Sequence, residues 1–366
     1  MLTRSASTEK YVLPIGARRV FRLSLCIALS LFIAYGMAVP LPFLAPMFAL
    51  MLGIKPAPPI GFKGLTGLVM VVVITLGMGL LLAPVLNSYP VTAILMVALG
   101  IYLSSYLTVI AGKALVGTFL TMGVTMISAA GVASFSLAFT IVQALVFAII
   151  IAVTCQWLVY YWFPENAVAD DAAIDEDEDD KPVASTQSNW IALRATLIIL
   201  PAYFIALINP SMYLPIIMKS VSLGQQASSM QARDAGRELL GSTFLAGCFA
   251  IVFWFMLDLV TSLWMFACWM LLFAIYFVGK IYRITASRYP PSYWQNTLIT
   301  MLILIGPAVE DSANGKDVYQ AFALRMSLFV GVTLYACAAV YFLEMMRYRR
   351  ILRKTPAEIP AQTALQ

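Results

Sequence analysis

Residues 65–86, 91–110 and 133–163 run without a single charged side chain, and each is long enough to cross a lipid bilayer as one helix. In hydrocarbon every backbone N–H and C=O needs an internal partner, which a helix supplies within its own segment. The same character extends along the whole chain, which is 61% hydrophobic and only 11% charged. A soluble domain carries roughly a quarter charged residues, so a large soluble catalytic domain is excluded. The fold class expected is an all-α polytopic membrane protein.

Apolar runs broken by charge, Pro or Gly clusters number about twelve. Six of them, 20–39, 40–54, 65–86, 91–110, 115–130 and 133–163, precede a gap, and six more, 190–207, 212–223, 239–260, 263–278, 297–309 and 321–346, follow it. With the N-terminus in the cytoplasm, all of the 23 Lys and Arg residues except Lys316 and Arg325 fall on the inner face, Lys219 among them. That bias is what the positive-inside rule requires, and it puts both termini in the cytoplasm. Arg18 and Arg19 before an apolar run resemble a secretory signal, but more apolar sequence follows at once. An uncleaved first helix is expected.

The gap carries Glu165, Asp170, Asp171, Asp175, Glu176, Asp177, Glu178, Asp179 and Asp180, the composition of a solvated linker. It divides the chain into a first six-helix repeat (1–163), an acidic cytoplasmic linker (164–188), a second six-helix repeat (189–347) and a basic cytoplasmic tail (348–366). A shift of 172 positions puts Arg22 on Arg194 and Gly64 on Gly236. At a slightly larger shift Thr118-Phe119-Leu120-Thr121-Met122 falls on Thr297-Leu298-Ile299-Thr300-Met301. Six spans per half make the two copies parallel, as in carriers with a pseudo-two-fold axis along the membrane normal.

Short, interrupted hydrophobic segments at corresponding places in two repeats point to a transport site. Pro40, Pro42 and Pro46 interrupt the second run of the first half, and Asn209, Pro210 and Pro215 its counterpart. The competing explanation is a pair of tight outer turns before short helices. Asp258, near the outer end of the ninth run, is the candidate proton carrier if burial raises its affinity for the proton, or else a solvated acid or helix-end partner at the interface. Arg22 and Arg194 head the first helices of the halves and are placed to attract an anionic substrate, or simply to anchor the helix ends at lipid phosphates. Arg325, on the disfavoured face, has Glu310, Asp311 and Asp317 nearby as partners. Thr118, Thr121, Thr125 and Ser128 recur at helical spacing as a polar pathway or, more simply, a packing seam.

No histidine occurs, and five cysteines lie scattered without a CxxC pair, so no metal site is expected and the cysteines are expected to be buried. Without a phosphate-binding loop or a triad, neither catalysis nor a cofactor is expected. What remains is gradient-driven transport, a passive anion channel, or a structural membrane subunit of an export assembly.

A basic cluster at Arg18 to Arg22, a run with Ala28, Ala34 and Gly36, and Leu41-Pro42-Phe43-Leu44-Ala45-Pro46 follow one another. This pattern resembles the fusaric acid resistance and aromatic acid exporter superfamily of bacterial inner-membrane proteins. The resemblance implies export of aromatic carboxylates and other small organic anions through the cytoplasmic membrane. It also implies a periplasmic membrane-fusion adaptor and an outer-membrane channel as partners, with membrane lipid around the chain, a homo-oligomer as an option, and no nucleic acid. Longer members carry a soluble domain between the halves where this chain has the acidic linker.

Overall fold

A computed structural model describes residues 14–55, 57–111, 114–164, 185–229, 232–315 and 317–354. The acidic stretch, Lys316 and the end of the basic tail lie outside the described residues. Helix dominates, with no strand among the described residues. The elements are α1 (Ile15–Gly36), α2 (Leu44–Gly53), α3 (Phe62–Ser88), α4 (Pro90–Ala111), α5 (Ala114–Met122), a π turn (Gly123–Ile127), α6 (Ser128–Ala133) and α7 (Phe135–Trp162). The second half has α8 (Ser185–Ile208), α9 (Pro210–Ser229), α10 (Ala232–Leu259), α11 (Leu263–Ile281), α12 (Pro291–Ala313) and α13 (Val318–Lys354). Each apolar run expected from the sequence contains a helix, but in the run 40–54 only Leu44–Gly53 is helical, because residues 37–43 form the link from α1 to α2. Nine helices among the described residues are long and apolar enough to cross a membrane, so the chain is a multi-pass membrane protein.

Local signals set many boundaries. Ser134 accepts the Leu137 N–H at the start of α7, and Ser262 accepts the Met265 N–H at the start of α11. Pro291 opens α12, where its missing N–H has no consequence. Asp317, one of the expected partners of Arg325, instead caps α13 by accepting the Tyr319 and Gln320 N–H groups. At 1.5 Å per residue, α13 is about 55 Å long, well beyond a hydrocarbon core of roughly 30 Å.

The helices fall into a shell and an interior. On α3 and α4 the exposed residues include Met70, Ile74, Met78 and Leu81, then Val91, Leu95, Leu99 and Leu103, apolar faces suited to lipid. The segment Leu44 to Leu50 of α2 is buried entirely, as are most residues of α9 from Leu214 to Leu223 and of α12 from Tyr293 to Ala308. These three helices are not among the nine long apolar ones. A helix enclosed by protein needs neither full length nor unbroken hydrophobicity.

Because lipid tails are as apolar as leucine, close packing rather than hydrophobic transfer joins such helices. The clearest case is the crossing of α3 with the π turn, where a Cβ on Gly79 would overlap the Gly123 carbonyl oxygen. The short α2 ends at the half-buried Gly53 and Ile54, and its terminal carbonyls are satisfied from elsewhere. Tyr282 Oη donates to Gly53 O at 3.3 Å and Ile54 O at 2.9 Å, and Gln156 Nε2 donates to Ala49 O at 3.4 Å. The link from α1 to α2 holds Ala38 and Leu41 at φ of 50° and 51°, left-handed conformations that cost non-glycine residues about 1–3 kcal/mol. Across the halves α1 packs along α11, and α8 packs along α4.

Two expectations change here. Lys219 sits inside α9 with no exposed surface rather than at a membrane face. Cys26 and Cys155 are buried as expected, but Cys248 and Cys268 are exposed.

Candidate functional site

The end of the bundle where α1 begins is called proximal, and the end where α1 gives way to α2 distal. Lys219 lies about 14 Å along α9 from Pro210, near the middle of the helix. Its Nζ donates to Thr300 Oγ1 at 2.7 Å and to Asn296 Oδ1 at 3.2 Å, both on α12. Asn296 Nδ2 donates to Ser242 Oγ on α10 at 2.5 Å, and Thr300 Oγ1 donates to the Asn296 carbonyl at 2.7 Å. All four side chains are buried. Residues 296 and 300 share a face of α12 because they are four apart.

Distal to this cluster is a cavity of about 370 Å³. Leu41 and Phe43 line it from the link before α2, Asn209, Pro215 and Met218 from the start of α9, and Met126 from the π turn. Pro307, Glu310 and Asp311 of α12 and Arg325 of α13 complete the wall. Arg325 Nη2 pairs with Asp311 Oδ2 at 2.5 Å, with both side chains largely buried. The Phe43 ring lies on Gly306, where any side chain would overlap it. Both proline-interrupted segments therefore border one cavity.

At the proximal end a pocket of about 230 Å³ is lined by Arg22, Lys55, Gln156 and Tyr160 among others. The Arg22 guanidinium lies 5.6 Å from the centre of the Tyr160 ring. Arg194 is 4% exposed, and its Nη1 pairs with Glu344 Oε1 on α13 at 3.2 Å.

The candidate residues thus divide. Asn209 and Pro215 line the distal cavity, while Pro42 and Pro46 are buried beside its walls, between Leu41 and Phe43 and in the first turn of α2. Arg22 faces the proximal pocket, but Arg194 is held by Glu344 within the second half, so the two do not share one vestibule. Asp258 is exposed at the next-to-last residue of α10 and borders a different distal pocket with Ser262 and Ser312. Arg325 has found Asp311, one of its three expected partners. Thr121, Thr125 and Ser128 are buried and bond back to the carbonyls of Gly117, Thr121 and Val124. Ser104 bonds Thr121 at 2.7 Å and Ser128 bonds Tyr203 at 3.1 Å, which makes the stripe a packing seam.

Lys219, Asn296 and Ser242 were missed as a group. A lysine at the centre of a 20-residue helix was the available signal, since intramembrane cations are rare and functional by default. Among the described residues no cluster of His, Cys, Asp and Glu could hold a metal ion.

Residues 19–159, from α1 almost to the end of α7, match the model of a family described as "Protein of unknown function (DUF2955)". No curated protein and no solved structure matches the chain.

Proposed function

We propose that this protein exports small organic anions, aromatic carboxylates foremost, across a bacterial cytoplasmic membrane. The carrying observation is the distal cavity, bordered by the interrupted segments at the heads of both α2 and α9, above a closed polar interior. Broken backbone at membrane depth is tolerated where it lines a cavity, and transporters use such places as sites. The proximal pocket supplies Arg22 and Lys55 to draw an anion from the cytoplasm. The two pockets share no lining residue, which favours a gated carrier over an open channel. The proton gradient is the proposed driving force, with a periplasmic adaptor as partner, as the resemblance of the first two spans to the aromatic acid exporters implies.

In this proposal α2, α9 and α12 complete twelve crossings in two parallel six-helix repeats, with both termini cytoplasmic. The packing is consistent with a two-fold relation: α1 on α11 is matched by α8 on α4, and α1 on α2 by α8 on α9. The arginine that heads each half also touches the last helix of that half, Arg22 at Tyr160 and Arg194 at Glu344.

Energised inside-out vesicles carrying the protein should accumulate labelled benzoate, and a protonophore should abolish the accumulation. Current reversing at the benzoate equilibrium potential in a planar bilayer would make the protein a channel instead. Absence of any flux together with tight adaptor binding would make it an assembly subunit. Arg22→Gln should lower uptake several-fold, whereas Asp258→Asn should leave it unchanged.

A further inference from the structure

Three cations lie in the described interior, and two of them face a carboxylate: Arg194 has Glu344 and Arg325 has Asp311. Lys219, the most deeply buried, has only the neutral oxygens of Thr300 and Asn296. No carboxylate lies within ion-pair distance of it among the described residues. An ammonium carries three N–H donors, and two acceptors satisfy two of them. Burying a charge without a counter-ion costs several kcal/mol, and a fold that needed only a link between α9 and α12 would be served by a neutral amide.

Position supplies the second line of support. Pro215 and Met218, in the turn distal to Lys219 on α9, line the distal cavity. On α12, Pro307 lines the same cavity about 10 Å beyond Thr300 along the helix. Leu214, a turn and a half before Lys219, lines the cavity as well, and Leu304, one turn beyond Thr300 on α12, is fully buried. The cluster is thus a packed polar group directly behind the cavity wall, since Met218, which lines the cavity, precedes Lys219 in the chain. In the cavity wall Met126, Met218 and Phe43 offer adaptable and aromatic surface for an apolar body.

We propose that Lys219, with Thr300 and Asn296, forms the seat for the carboxylate of the exported anion. The carboxylate becomes the counter-ion that Lys219 lacks, accepting from Nζ and from the Thr300 hydroxyl, which then releases the Asn296 carbonyl. Ser242 holds the Asn296 amide in place. The ligand class is a small monocarboxylate with an apolar, ring-sized body, and an amide of the same shape is not held. This site rests on the export function proposed above and gives that function its substrate-binding residue.

The test uses the full chain in lipid nanodiscs and in inside-out vesicles, with benzoate as the probe and benzamide as its neutral counterpart. Benzoate should raise the thermal midpoint of the wild type, and benzamide should not. Lys219→Met should unfold at the same temperature as the unliganded wild type or higher, lose the benzoate shift, and lose at least about nine-tenths of benzoate uptake. Lys219→Gln, which keeps a hydrogen-bonding side chain without the charge, should fail in the same way, and Lys219→Arg should retain part of the shift. Should Lys219→Met not accumulate, Thr300→Val keeps the ammonium and should demand about tenfold more benzoate for the same shift.

A benzoate shift that survives in Lys219→Gln overturns the site. If uptake in that variant has also lost its dependence on the proton gradient, Lys219 carries a proton rather than the anion. A wild type that shows no benzoate shift overturns the site whatever the flux. Wild-type uptake that Lys219→Gln shares removes this inference and leaves export standing. A Lys219-dependent shift without wild-type flux removes export and leaves the site.

Discussion

In the first half of the bundle the buried hydroxyls of Thr121, Thr125 and Ser128 bond back into the turns that carry them, whereas in the second half Lys219, Asn296 and Ser242 bond across three helices. The first interior is neutral and owes its cohesion to close backbone approach, as at Gly79 and Gly123. The second holds a lysine and two arginine–carboxylate pairs. Each interior also holds the other kind of bond, Ser104 to Thr121 and Ser128 to Tyr203 in the first and Thr300 to the Asn296 carbonyl in the second, so what separates them is the buried cation whose bonds cross helices in the second alone. A local bond needs only its own helix, but a long-range bond exists only when two other helices are in register.

Substitutions that attack each interior by its own weakness should sharpen this contrast. The largest effect is expected from Gly123→Leu, whose side chain has no room against the Thr75 and Leu76 backbone of α3. Overpacking of a close crossing by a full side chain should prevent recovery of monodisperse protein in detergent. A mild effect there would mean that the first half is not held by close approach.

Next comes Asp311→Asn, which leaves Arg325 largely buried beside a neutral partner. Loss of one member of such a pair costs about 3 kcal/mol, read as a lower thermal midpoint, and Asp311→Leu with Arg325→Met should recover most of it. A double variant no better than the single would show that the pair does not act as a unit. Tyr282→Phe removes the donor to the terminal carbonyls of α2 and should cost about 1–2 kcal/mol in the same assay. Smallest of all, Thr125→Val should change stability by less than about 1 kcal/mol, because the hydroxyl serves only a carbonyl of its own helix. A large loss in Thr125→Val would erase the distinction between the two interiors.

How far the molecule was legible in its sequence follows the same division. The shell helices α3, α4 and α7 stand out because lipid forces every outward residue to be apolar. The pairing of Arg325 followed from its isolation among outer acids, although Asp311 rather than Asp317 took it. Asn209 and Pro215 were recognised because proline breaks a helix visibly. Lys219 was assigned to a membrane face because a charge-counting rule treats each lysine as a loop residue, and only the enclosure of α9 by its neighbours overrides that rule. Asp258 lies where its place near the outer end of the ninth run puts it, exposed at a helix end.

By itself the sequence determined that this chain is helical, crosses a membrane many times and carries few interior charges. Length and hydrophobicity answer directly to the bilayer, residue by residue. The tertiary structure decided which helices are hidden, which cations meet a carboxylate, and that Lys219 meets only neutral oxygens beneath a cavity shared by both halves. Those outcomes depend on packing between segments far apart in the chain, and an interior side chain is charged, paired or buried only through what its distant neighbours place against it.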